Sequence, residues 1–449
     1  MNTPICEFVR RYSEKHALRL HMPGHKGADL LGMELYDLTE IEGADSLYEA
    51  NGIIRESEEN ASRLFGSAST LYSTEGSSHC IRAMLYLAKA DAVRQGKAFH
   101  ILAARNVHKT FLTAAALLDF QPEWIAPSKE TSYLSCPIDM EHLEQRLQRG
   151  DVTAVYLTSP DYLGNRADLA SVATLCHRYG VLLLVDNAHG AYLKFLTPSE
   201  HPLDLGADLC CDSAHKTLPA LTGAAYLHLC ATAPAWMAEE AKCALSLFGS
   251  TSPSYLILQS LDAVNAYLAN GFSETLASYV QTAESFAERI CARGFPLIGT
   301  EPLKITLAPK AFGYTGNEFA ARLAEQGIVC EFSDPDFTVL MLSPSLPVNA
   351  WERLEAALDA IPRRTPIHAT PPSLSTLPAC ALPIRDTLFC KRETVSLEQA
   401  NGRILASLHV ACPPAVPLAV AGERLDEEIL ACFAYYGKTT CDVLCDNAP

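Results

Sequence analysis

An α/β fold, with a large, mostly parallel sheet followed by a smaller α/β domain, is what this sequence predicts, on three observations. Short apolar runs that suit strands alternate with helical patterns from about residue 70 to residue 228. Those runs are apolar at successive positions, as strands covered by helices on both faces must be. After residue 254 two long helical stretches precede a second, shorter set of strands.

In order, residues 1–50 form an arm with a short helix and a loop rich in glycine and charge, too polar for a core of its own. The large domain spans 51–253. It opens with a helix over Arg55–Phe65 that stops at Gly66, a residue free to take the left-handed conformation of a helix end. Strand Thr70–Ser73, helix Ser78–Ala90, a strand near Phe99–Ala103 and a helix over Lys109–Leu118 follow. Helices at Met140–Gln148 and Asp168–Tyr179 fit between strands at Ala154–Thr158, Val181–Val185, Asp208–Asp212 and Ala224–His228. In such a sheet ligands bind beyond the carboxyl ends of the strands. The small domain, 254–361, carries helices Ser254–Leu268 and Glu274–Arg293 and strands near Lys304–Leu307, Ile328–Phe332 and Thr338–Leu342. Residues 362–449 begin with Pro362, Pro366, Pro371, Pro372, Pro378 and Pro383, which keep the chain extended, and continue to a helix over Leu425–Tyr436. There is no internal repeat.

At 449 residues the chain exceeds one ordinary core, and 49% apolar with 19% charged residues suits a globular protein. A net charge of −17, from 35 basic against 52 acidic groups, opposes non-specific nucleic-acid binding. The sixteen cysteines are scattered, only Cys210 and Cys211 are adjacent, and no pair of CxxC motifs occurs, so neither a metal site nor disulfides are expected. Cysteines inside apolar runs behave as small hydrophobes and point to a reducing compartment. The first residues carry Glu7, Arg10, Arg11, Glu14 and Lys15 and lack a signal peptide's apolar core, so the expectation is cytoplasmic. The longest uncharged stretch, Leu218–Ala238, contains Pro219, Gly223, His228 and Pro234 and suits a buried loop and strand better than a membrane span.

The chemistry is concentrated at two strand ends. Ser213-Ala214-His215-Lys216-Thr217-Leu218-Pro219 follows the run Ala207–Cys211, and Asp186-Asn187-Ala188-His189 follows Val181–Val185. If these strands are neighbours, an amine and a carboxylate meet at one sheet edge, where they can hold a pyridine aldehyde by its two reactive ends. Lys216 would form the Schiff base and Asp186 would keep the ring nitrogen protonated, which describes pyridoxal 5'-phosphate. Glu75-Gly76-Ser77-Ser78, between a strand and a helix, offers free N–H groups and small hydroxyls for the phosphate. His108, after another strand, supplies a ring that could stack on the cofactor, although a histidine there also suits a helix cap. His215 and Ser213 add polar groups beside the amine.

Five segments together carry a family resemblance: His21–Gly27, Arg105–Lys109, Asp186–Gly190, Ser213–Pro219 and Thr251–Tyr255. In order and spacing they resemble the ornithine/lysine/arginine decarboxylases of the aspartate-aminotransferase fold, the PLP-dependent transferase fold type I, in a short form without the receiver-like wing domain. The resemblance implies Lys216 as the Schiff-base lysine, Asp186 as pyridinium partner and His108 as stacking base. It further implies Gly76, Ser77, Ser78 and Ser213 around the phosphate, with His189 beside the cofactor and His215 or Lys216 returning a proton to Cα. An obligate homodimer with shared sites is implied, in which Thr251 and Ser252 reach the partner's phosphate. His25, Asp45 and Glu423 are candidates for contact with substrate.

The implied reaction is decarboxylation of arginine, lysine or ornithine to the amine, a polyamine precursor. Aminotransfer or β-elimination by the same lysine and aspartate, and a non-catalytic PLP-binding regulator, stay open. Two departures from the family bear on this. Glu75 replaces a small polar residue beside the phosphate segment, with His79 and Cys80 replacing small ones, and Cys412–Pro417 with Gly422-Glu423 only approximates the family's Tyr-Pro-Pro-Gly segment.

Overall fold

The structure is a computed structural model that describes residues 1–125, 127–128, 132–372, 377–408 and 414–445. In chain order its first half consists of α1 (Pro4–Glu14), α2 (Ile53–Phe65), β1 (Ser69–Ser73), α3 (Ser77–Arg94), β2 (Ile101–Ala104), α4 (Lys109–Leu118), β3 (Glu123–Ile125), α5 (Met140–Leu147), β4 (Ala154–Thr158), α6 (Leu169–Arg178), β5 (Leu182–Asp186), β6 (Leu209–Asp212), α7 (Ala214–Thr217) and β7 (Ala225–Leu229). The second half adds α8 (Trp236–Ser246), α9 (Tyr255–Leu268), α10 (Phe272–Ala292), β8 (Leu297–Ile298), β9 (Lys304–Leu307), α11 (Gly316–Glu325), β10 (Phe332–Ser333), β11 (Thr338–Met341), α12 (Ala350–Asp359), α13 (Ile384–Phe389), β12 (Arg392–Ser396), α14 (Glu427–Tyr435) and β13 (Thr440–Leu444).

Two compact units share these elements, each drawn from separated stretches of chain. The first comprises Met1–Phe99, Thr153–Ser159 and Asp168–Ala277. Its strands lie in the order β1-β7-β6-β5-β4. β4, β5 and β6 are parallel, and β7 runs against both of its neighbours. Leu183, Leu184 and Val185 are fully buried, because helices take up both faces of the strand. At roughly 1.5–3 kcal/mol per buried aliphatic side chain, such strands are the main favourable term in this core. α2 stops at Gly66, φ +66°, whose N–H returns to the Ser62 carbonyl as its sequence predicts. The register Thr158↔Asp186 and Asp186↔Cys211 brings the carboxyl ends of β4, β5 and β6 into one row. α7, with Lys216, begins directly after β6.

The second unit comprises His100–Val152, Pro160–Ala167 and Ser278–Pro449. It holds the parallel pair β2/β3, an antiparallel sheet in the order β10-β11-β9-β8, and the antiparallel pair β12/β13. Ile429, Cys432 and Phe433 of α14 pack on Leu405, Leu425 and Val443. The strand expected over 328–332 is shortened to Phe332–Ser333, since β11 reaches only Val339↔Phe332 before the turn at Asp334–Phe337, and Val329 stands 91% exposed. β3, β8, β12 and β13 are short or charged and gave no apolar run. α11 did carry a signal, the reciprocal Thr315/Glu318 capping box. Among the described residues, no helix is long and apolar enough to cross a membrane.

Candidate active site

In the first unit Asp186 ends β5 with 2% exposure. Its Oδ1 accepts the Ala188 N–H at 3.1 Å and its Oδ2 the Tyr156 hydroxyl at 3.3 Å, while the Cys211 thiol lies 3.8 Å from Oδ1. A carboxylate has about four lone-pair sites, so these long contacts leave accepting capacity unused. Burial pushes this carboxyl above its ordinary range, against the nearby Lys216 charge and the donors just named. Lys216 Nζ lies 3.0 Å from His189 Nε2. His189, on the turn after Asp186, is buried. Two strand ends thus bring Asp186, His189 and Lys216 close together.

α3 begins at Ser77 behind Gly76, which has φ +72° and offers no side-chain cap to the first turn. That left-handed backbone, rather than crowding, is what calls for glycine: a Cβ built there meets nothing within 4 Å. The Ser213 hydroxyl donates to Ser77 Oγ at 2.8 Å, and Ser78 follows on the same turn. Helix N–H groups and hydroxyls here form a cradle suited to a dianion.

Glu75 directly precedes this cradle. Its carboxylate is exposed and accepts the Ser250 N–H at 2.6 Å, tying down the loop that carries exposed Thr251 and Ser252. His79 is core: Nδ1 meets Ser73 Oγ at 2.9 Å and Nε2 donates to the Leu245 carbonyl at 2.7 Å, with burial lowering its basicity. Cys80 is fully buried, which pushes its thiol up.

Other candidates are committed elsewhere. The Asp45 carboxylate accepts the N–H groups of Ser46, Asn51, Gly52 and Ile54 at 2.7–3.1 Å, so it anchors the start of α2. His25 uses both ring nitrogens, with Nε2 3.2 Å from Asp37 and Nδ1 accepting the Gly27 N–H at 3.0 Å. His215 donates from Nδ1 to the Ala224 carbonyl at 3.0 Å, which leaves Nε2 without a proton in the neutral ring. Burial lowers the basicity of that ring. Tyr156 and Cys211 were missed, because only the register of β4, β5 and β6 places them beside Asp186.

The second unit holds His108 and Glu423. His108 caps α4, accepting the Thr110 N–H on Nδ1 at 3.2 Å. Glu423 is 2% exposed, pairs with Arg105 at 2.8 Å and accepts the Val420 N–H at 2.7 Å. Nearby, the Lys109 N–H meets the carbonyl of Ala415, a residue with φ +58° where the resembling segment has its glycine neighbourhood. Cys412 and Pro413 of that segment lie outside the described residues.

An amine, a buried carboxylate with capacity to spare and an uncapped helix start ringed by serines form a donor set that fits pyridoxal phosphate. Residues 3–295 match the Orn/Lys/Arg decarboxylase major domain, and 375–440 match the C-terminal domain of the same family. The uncharacterized protein YaaO of Bacillus subtilis (strain 168) is 32% identical over 463 residues, 95% of this chain and 93% of that protein. The arginine decarboxylase of the same organism is 29% identical over 459 residues, 95% of this chain and 92% of that protein. In structure, the Francisella novicida lysine decarboxylase superposes with a TM-score of 0.80 at 18% identity, covering 99% of this chain and 81% of that one. The chain belongs to the Orn/Lys/Arg decarboxylase family and is a PLP-dependent decarboxylase of the aspartate-aminotransferase fold.

Proposed function

We propose that this chain removes the α-carboxylate of a basic amino acid, arginine, lysine or ornithine, as carbon dioxide and releases the amine. The observation that carries the reading is the meeting of Lys216 and Asp186 at adjacent strand ends, with the Ser77 helix start in the same unit. Named arginine decarboxylases among the relatives, at 27–29% identity, put arginine first in the panel. When bound, pyridoxal phosphate supplies an aldehyde for covalent attachment and a protonated ring that accepts the electron pair left by carbon dioxide.

The chain's own residues do the rest. Lys216 offers the amine, and His189, 3.0 Å away, holds it in place. Asp186 holds a proton at the ring nitrogen, and this contact satisfies a carboxylate that the protein leaves under-bonded. Gly76, Ser77, Ser78 and Ser213 bind the phosphate. His108 caps α4 through Nδ1, and a stacking role for its ring rests on the family resemblance alone. The Cα proton comes from Lys216 rather than His215, whose Nε2 carries none in the neutral ring. Exposed Thr251 and Ser252 suit contacts with a second copy in a homodimer, and cysteine usage suits the cytoplasm.

The test is to load the protein with cofactor and assay carbon dioxide and amine from arginine, lysine and ornithine. One of the three should exceed the others at least tenfold, and Lys216→Ala should abolish both turnover and the visible absorption band. Amino transfer to a keto acid without carbon dioxide would replace this reading with an aminotransferase.

A further inference from the structure

On the opposite face of the same sheet, behind the residues just described, a second carboxylate is buried with no place in that reaction. Alternation along β6 puts Cys211 on the Asp186 face and Asp212 on the other. Asp212 is completely inaccessible. Its Oδ2 faces His201 Nε2 at 3.0 Å and His228 Nε2 at 3.1 Å, and its Oδ1 accepts the Asn187 amide N–H at 2.7 Å.

The proton positions follow from the outer partners of the rings. His201 Nδ1 accepts the Leu203 N–H at 3.3 Å, so in the neutral ring the proton sits on Nε2 and points at Asp212. His228 Nδ1 meets Thr70 Oγ1 at 2.8 Å, which completes the same arrangement on β7. Three side-chain N–H donors therefore converge on one carboxylate. His201, Cys210 and Asp212 also have the spacing of a cation site, but both imidazole Nε2 atoms are already occupied as donors.

Two of the tied positions flank the cofactor groups. Asn187 directly follows Asp186, and Asp212 is four residues before Lys216. The Asn187 N–H bonds the Cys211 carbonyl at 3.0 Å, and a Cβ on Gly190 would lie only 2.0 Å from Asn187 Oδ1, so the turn is closed tightly around this amide. We infer that Asp212 is a positioning residue: from the rear of the sheet it locks the strand end bearing Asp186 to the strand end bearing Lys216, and so sets where Asp186 meets the ring nitrogen. The inference rests on the proposed roles of Asp186 and Lys216.

The experiment compares wild type, Asp212→Asn, His228→Phe and Asp186→Ala, each loaded with cofactor labelled with 15N at the ring nitrogen. Asp212→Asn turns one of its two acceptor oxygens into a donor, which must then face either the His Nε2–H groups or the Asn187 N–H, and His228→Phe removes one donor while suiting the aromatic neighbours Phe65 and Tyr226. We expect cofactor affinity at least tenfold weaker in Asp212→Asn, the 15N shift displaced toward an unprotonated ring, and smaller changes in the same direction in His228→Phe. If Asp212→Asn does not fold, His228→Phe alone carries the test. A lower melting temperature with affinity and 15N shift within twofold and within error of wild type overturns positioning and leaves a structural role. One tightly bound transition metal per chain, whose chelation reproduces the Asp212→Asn signals, also overturns it. A normal 15N shift and activity in Asp186→Ala would sink the underlying reading instead, which separates the two failures.

Discussion

Asp186 and Asp212 close neighbouring strands and are both buried, yet the protein treats them in opposite ways. Asp212 receives three N–H donors at 2.7–3.1 Å. Burial alone would raise its carboxyl, but His201 and His228 hold it well below the usual carboxylate range. Asp186 has one backbone N–H, one long hydroxyl contact and a thiol, and burial prevails, raising it. A buried charge saturated by the protein is a structural tie, whereas one left under-bonded is kept for a group that arrives from outside.

The hardest blow to this contrast falls on the reaction. Asp186→Ala should keep part of the cofactor's visible absorption and lose roughly 10³-fold in turnover, about 4 kcal/mol of barrier. Near-normal turnover would remove the reason for the under-bonding.

In the cofactor-free protein the two aspartates should then respond with opposite signs. Asp212→Asn should lower stability by about 3 kcal/mol, while Asp186→Asn should raise it by about 1 kcal/mol, measured by chemical denaturation at pH 7.5. The pH dependence has a defined direction for each. The depressed Asp212 carboxyl contributes stability above its unfolded value of about 3.9 that is lost as pH falls through its folded value. The raised Asp186 carboxyl contributes stability below about 3.9 that is lost as pH rises through its folded value. The Asp186→Asn difference should therefore have vanished by about pH 4, whereas the Asp212→Asn difference should shrink only below it. Changes of the same sign for both variants would break the contrast.

Asp334 in the second unit sharpens it further. Its Oδ1 accepts the Asp336 and Phe337 N–H groups at 2.7 Å each, its Oδ2 is buried without a partner, and burial first, with Asp336 beside it, pushes it to about 6. Stability it supplies below about 3.9 is lost as pH rises through its folded value of about 6. Asp334→Asn should thus gain about 1–2 kcal/mol above pH 6 and nothing below about pH 4, with or without cofactor. If removal of the cofactor changed that gain, Asp334 would belong with Asp186.

Much of this was legible before the fold was known. The runs 154–158 and 304–307 are strands to the residue, and the helix at 255–268 lies within one residue of its expected start. These segments have strong periodicity and clear stops, and Lys216 and Asp186 are read from the ends of such runs. The partners of Glu423 and Asp45 were not legible, for a shared reason. A lone acid in a loop shows its charge in the sequence, but not the Arg105 guanidinium or the four backbone N–H groups that consume it.

Sequence by itself determined the alternation of strand and helix, the lysine and aspartate at strand ends and the family, because each depends on local pattern. Tertiary structure alone decided which strands are neighbours, and with them the Asp186–Cys211 register, the Tyr156 contact and the triple tie on Asp212. Strand adjacency joins residues far apart in the chain, and no local propensity encodes which N–H will reach which carboxylate.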